Sequence, residues 1–99
     1  MKTILYRVMS EEEFSYLRSN SVNFWKNRYK FFTPYMDFIL LILSSDFNNR
    51  NIKKERYTHI VQFEFENLSK IRQINKREVI LDRRDMNGVK FTYSLLRKV

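Results

Sequence analysis

The chain has no cysteine and no alanine, and only one glycine, one proline and one histidine in 99 residues. Each scarcity removes options. Without cysteine there is no disulfide and no thiolate metal centre, a composition that fits a reducing cytoplasm. With His59 as the single histidine, the usual zinc ligand sets cannot be assembled, so no metal is expected. A serine–histidine triad would need that residue beside a particular serine, and nothing in the sequence pairs them. The lone glycine, Gly88, excludes a glycine-rich phosphate loop. So few glycines and prolines leave few sharp bends, and most of the chain is expected in regular structure. The most apolar run, FILLIL at 38–43, is far shorter than the ~20 residues of a membrane span and reads as a buried helix. The opening MKTILYRVMS is broken by Arg7 and does not read as a signal peptide.

What remains is aromatic and basic. Nine Phe, six Tyr and one Trp supply the core. Such rings bury roughly 150–250 Å² each, which suits a single-domain chain too short to bury more than about two-thirds of its extended surface. The formal charge of +8 favours an acidic partner: nucleic acid, an anionic nucleotide or an acidic protein face. The cations cluster at Lys26, Arg28 and Lys30, at Arg50, Lys53, Lys54 and Arg56, at Lys70, Arg72, Lys76 and Arg77, and at Arg83 and Arg84.

Alternation and capping signals divide the chain. TILYRVM at 3–9 predicts a strand with Ile4, Tyr6 and Val8 on one face and Leu5 and Arg7 on the other. Ser10 and Glu13 have the spacing of a capping box, and Met9 and Phe14 that of a hydrophobic staple, so a short helix should start there and end near Asn20. A turn at Asn27 should lead into a strand over 29–33, and Thr33-Pro34 should open a second, centrally buried helix running to about Ser45. Residues 46–57 read as a basic surface loop. THIVQFEFE at 58–66 predicts a strand burying His59, Val61, Phe63 and Phe65. Its outward Glu64 and Glu66 are accounted for by that alternation. Residues 67–75 read as a short helix or an irregular connection. The last segment predicts a hairpin, with Met86-Asn87-Gly88 as its loop and Leu81 opposite Tyr93. The expectation is an α+β domain over residues 1–99, a mostly antiparallel sheet with two short helices packed on it.

If the chain is an enzyme, it works with carboxylates, arginines and hydroxyls. Arg7 lies on the first strand, FFTP closes a later one at Thr33, and REVIL opens the final hairpin with Glu78 at its entrance. Their order and context resemble the ADP-ribosyltransferase-like fold, which is common among small toxins and mobile-element effectors. Members place an Arg or His on the first core strand, a Ser/Thr motif on a second, and a Glu opening a late strand. The resemblance implies NAD as cofactor, with Glu78, Arg7 and Thr33 as catalytic residues. Glu78 would stabilise the positive charge that develops on the ribose, Arg7 would hold the pyrophosphate, and Thr33 would support the site. Tyr35 or Phe38 would stack on nicotinamide. Where many members carry a second acid, two residues before the Glu, this chain has Lys76.

A binding module is the alternative. Lys26, Arg28, Lys30, Arg50, Lys53, Lys54 and Arg56, interleaved with Trp25 and Tyr29, could hold nucleic acid. A small basic protein could equally block the nucleic-acid groove of another protein, as phage-borne inhibitors do.

Overall fold

The structure, a computed structural model, describes residues 2–42 and 57–98. The elements follow in the order β1 (Lys2–Met9), α1 (Glu11–Arg18), a 3₁₀ turn (Val22–Trp25), β2 (Tyr29–Phe32), α2 (Met36–Ile42), β3 (His59–Glu66), β4 (Arg72–Gln73), β5 (Val79–Asp82), a second 3₁₀ turn (Arg83–Asp85) and β6 (Lys90–Lys98). The fold is α+β. Two antiparallel three-stranded sheets, β1-β3-β6 and β2-β5-β4, replace the single sheet expected from the sequence. They meet where Tyr6 N–H donates to the Thr33 carbonyl (2.7 Å) and Thr33 N–H to the Tyr6 carbonyl (2.9 Å). Read through that junction, the strand order is β4-β5-β2-β1-β3-β6.

The alternation of β3 explains why the sheets face each other. Val61, Phe63 and Phe65 are fully buried on its inner face. The Phe32 ring, from β2, meets Phe63 and Phe65 edge-on at 5.2 and 5.7 Å. Leu81, Phe24 and Leu17 complete this core. On the other face Ile60 is also buried, because α2 lays Ile39 against Ile60 and Val8.

The helix starts obey their signals in part. Ser10 Oγ accepts from Glu13 N–H (3.1 Å), and Phe14 packs against the core that contains Met9. The Glu13 side chain, however, does not turn back to complete the box. Helix α1 ends at Arg18, and Asn20 takes the left-handed φ of 56° beyond it. Thr33 Oγ1 accepts from Tyr35 N–H (3.1 Å), and Pro34 sits in the bend ahead of α2 rather than in its first turn. Among the described residues, α2 is one-sided: Phe38 and Ile39 are buried while Leu40 is 49% exposed. Its expected continuation to Ser45 lies outside the described residues. So do Arg50, Lys53, Lys54 and Arg56. Residues 67–75 are irregular apart from the short β4.

The terminal hairpin does not form. Strand β5 has both edges occupied, by β2 and β4, while β6 pairs with β3. Leu81 therefore faces Lys30 across the ladder, and Tyr93 faces Phe63. The cause is local. The Asp82 side chain accepts from Arg84 N–H (2.9 Å), which starts a 3₁₀ turn and lifts the chain out of its sheet. A Met86–Val89 turn, with Gly88 at φ +81°, then launches β6 onto the other sheet. None of the described helices is long and apolar enough to cross a membrane.

Candidate active site

Beyond the Tyr6–Thr33 junction the two sheets part, and a cleft of about 220 Å³ opens between them. Arg7 of β1, Thr33 at the end of β2 and Glu78 at the entrance of β5 all line it. Phe31, Phe38, Ile39 and Tyr57 supply apolar wall. The convergence follows from strand order: β5, β2 and β1 are consecutive neighbours, so residues 71 positions apart in the chain arrive at one place.

Arg7 is held by a residue that sequence reasoning treated only as a cap. Its Nε and Nη2 donate to the two oxygens of Glu13 at 2.6 and 2.9 Å, and Nη1 donates to the Phe31 carbonyl at 2.7 Å. A guanidinium carries five N–H groups; three are committed, which leaves two. Lys30 Nζ donates to the same carboxylate at 3.1 Å. Burial works against the charge of Glu13, but the bonds and charge of Arg7, then of Lys30, outweigh it and hold the carboxyl below its usual range. Lys30 is pushed down, chiefly by burial and then by Arg7, with Glu13 opposing. Two cations on one carboxylate leave the cluster at +1.

Lys30 is thus not an outward-facing basic residue. It is 5% exposed, with its ammonium 4.3 Å from the Phe24 ring centre, because strand alternation places it beside Phe32 on the core face. Its expected companions Lys26 and Arg28 are exposed.

Glu78 is half-buried, and Asn75 holds it. Asn75 Nδ2 donates to Glu78 Oε1 (3.1 Å), while Asn75 Oδ1 accepts from the backbone N–H groups of Arg77 and Glu78, both at 2.8 Å. Thr33 is buried; its hydroxyl oxygen accepts from Tyr35 N–H, and its own proton has no acceptor among the described residues. Tyr35 does not reach the cleft. It lines a neighbouring depression of about 480 Å³ with Asp37, Lys76 and Arg77, and Phe38 forms the wall common to both.

His59 is packed rather than poised. Its ring stacks on Phe14 at 4.3 Å, Nδ1 lies 2.7 Å from Thr58 Oγ1, and burial, followed by the charge of Lys98, lowers its pKa. Among the outward acids of β3, Glu64 pairs with Lys2 at 3.7 Å.

Glu13, Asn75 and Tyr57 are the site residues that sequence reasoning missed. A signal for Glu13 exists: Arg7 shares a strand face with buried Leu5 and Met9, so it needs a nearby counterion, and the triplet at 11–13 supplies one. Asn75 could have been read as a turn-former ahead of Glu78. No protein-family model, no curated protein and no solved structure matches this chain.

Proposed function

We propose that the cleft binds NAD and that the protein acts as an ADP-ribosyltransferase-like enzyme, passing ADP-ribose to a protein or nucleic-acid acceptor. The observation that carries this reading is the convergence of Arg7, Thr33 and Glu78 on one cleft from three separate elements. Their residue types suit the group. The two uncommitted N–H donors of Arg7, in a cluster of net charge +1, can take a phosphate oxygen. The Glu78 carboxylate provides a fixed negative charge, and Asn75 leaves its second oxygen open. The Thr33 hydroxyl retains a proton to donate. Phe38 adds apolar wall to the cleft.

Size is also informative. At about 220 Å³ the cleft is smaller than the roughly 300–1,000 Å³ of most ligand pockets. It matches one end of a dinucleotide, with the depression across Phe38 adjoining it. When bound, NAD⁺ would supply a ribosyl carbon bonded to a pyridinium ring, which takes the bonding electrons and leaves as neutral nicotinamide without a general acid. The chain's part is then to bind, to orient and to place negative charge.

The test is nicotinamide release from NAD by the wild-type protein and by Glu78→Gln. Gln keeps an oxygen for Asn75 and replaces the second, charged oxygen by a neutral NH2 group. The expected result is a fall on the order of 100-fold or more with an unchanged melting temperature. Equal release by both proteins, or no NAD binding by calorimetry, overturns the reading.

A further inference from the structure

The outer face of the β2-β5-β4 sheet takes no part in the cleft reading, apart from the rim residue Phe31, and it has an unusual composition. Tyr29 and Phe31 alternate with buried Lys30 and Phe32, so both rings point outward, 40% and 48% exposed. Two residues of strand separate them, about 7 Å. Ile80 lies beside Phe31, and Arg72 beside Ile80, on the same face. The Arg28 guanidinium sits 4.8 Å from the Tyr29 ring centre. Next to Tyr29 is a depression of about 350 Å³ whose walls include Lys70, Arg72, Ile80 and Asp85.

The two acids at the Tyr29 end of this face are already engaged. Asp82 is bound by Arg28 at 3.2 Å and Arg84 at 3.4 Å, and Asp85 by Lys70 at 3.7 Å. Four cations (Arg28, Lys70, Arg72, Arg84) against these two carboxylates leave +2 around the Tyr29 end of the face. Exposed aromatics on a sheet, ringed by uncompensated cations, are what unpaired nucleobases and their phosphates require. Bases stack on rings or on guanidinium planes, and the backbone is drawn by charge. A second copy of this chain fits poorly, since it would bring like-charged faces together on molecules that each carry +8.

We infer that this face binds single-stranded nucleic acid, with bases stacked on Phe31 and on the Arg28–Tyr29 pair and phosphates held by Lys70 and Arg72. The site shares Phe31 with the cleft but does not depend on the NAD reading.

The experiment is fluorescence anisotropy of a labelled single-stranded pyrimidine oligonucleotide against the full chain over a range of salt. Tyr29→Ala and Phe31→Ala should each weaken binding roughly 5- to 150-fold, the range for loss of one stacked base. Tyr29→Phe and Phe31→Trp should restore it. Tyr93→Ala, an exposed ring on the other sheet, should leave it unchanged. Arg72→Ala should reduce the salt dependence by about one phosphate contact. Three results overturn the inference: no binding at low salt; equal losses for the Tyr29, Phe31 and Tyr93 alanine variants, which means diffuse charge attraction; or a dimer, seen by sedimentation, that Phe31→Ala dissociates, which means the face belongs to a second copy. Circular dichroism of each variant checks that the fold is intact.

Discussion

The two walls of the cleft are built by opposite means. On the cationic side, Arg7 is fixed inside the molecule by a cluster in which one carboxylate serves two buried or half-buried cations. On the anionic side, Glu78 is fixed at the surface by the side chain of Asn75 in a local turn three residues away. The first wall depends on long-range placement of β1, α1 and β2. The second depends on four consecutive residues. Charges in a low-dielectric setting cost several kcal/mol each unless they are paired, whereas exposed hydrogen bonds exchange freely with water. The cationic wall should therefore be bound up with folding, and the anionic wall should be nearly independent of it.

Glu13→Ala tests the first half of that contrast and should have the largest effect. It removes the only carboxylate that pairs with Arg7 and Lys30 among the described residues. Breaking a buried pair from one side costs about 3–5 kcal/mol, a large part of the ~5–15 kcal/mol available to a small domain. Urea denaturation should show a midpoint lowered accordingly. Adding Lys30→Met should recover part of the loss, because a stranded charge, more than the missing attraction, is what destabilises. A loss under 1 kcal/mol, as for an exposed pair such as Lys2–Glu64, would place Glu13 in the class of surface charges.

Acid should act on the same wall more gradually. The folded Glu13 carboxyl is held below its usual value. Its contribution is therefore fully present above the unfolded value of roughly 4.3 and lost as pH falls through the lower folded value. The melting temperature of the wild-type protein should drop through that window. In Glu13→Gln the drop should be shallower, because the group that titrates is gone. Parallel pH profiles for the two proteins would show that other carboxylates carry the acid sensitivity.

The same contrast explains what could be read from the sequence. Strands β1, β2 and β3 were legible because one face of each is buried against the core, and alternation records that directly. The start of α1 was legible because Ser10 lies at its cap. The pairing of β5 was not, because Val79, Leu81, Tyr93 and Leu95 alternate equally well in a hairpin or in two sheets. The difference lies in one side chain, Asp82, that turns the backbone away. Lys30 was misread as a surface cation because its residue type overrode its strand parity. Arg7, Thr33 and Glu78, which line one cleft, stand out by residue type and order, whereas the counterion role of Glu13 is masked by its capping-box spacing, an acid three residues after a serine.

Asn75→Ala probes the anionic wall, where stability and function should separate. The substitution removes three hydrogen bonds, all at exposed positions that water can reach. The expected loss is about 0.5–1.5 kcal/mol, a shift of a few degrees in melting temperature. The backbone amides of Arg77 and Glu78 should exchange their hydrogens faster, since Asn75 Oδ1 is their acceptor. Asn75→Asp divides the two roles. Its carboxylate still accepts from both amides, so their protection and the melting temperature should stay close to wild type. It can no longer donate to Glu78 Oε1 and sets a second negative charge against it. If Glu78 is the group that acts on NAD, nicotinamide release should fall in the Asp variant while amide protection does not. Should release and protection instead rise and fall together across both variants, Asn75 serves the turn alone, and the orientation of Glu78 comes from the strand that follows it.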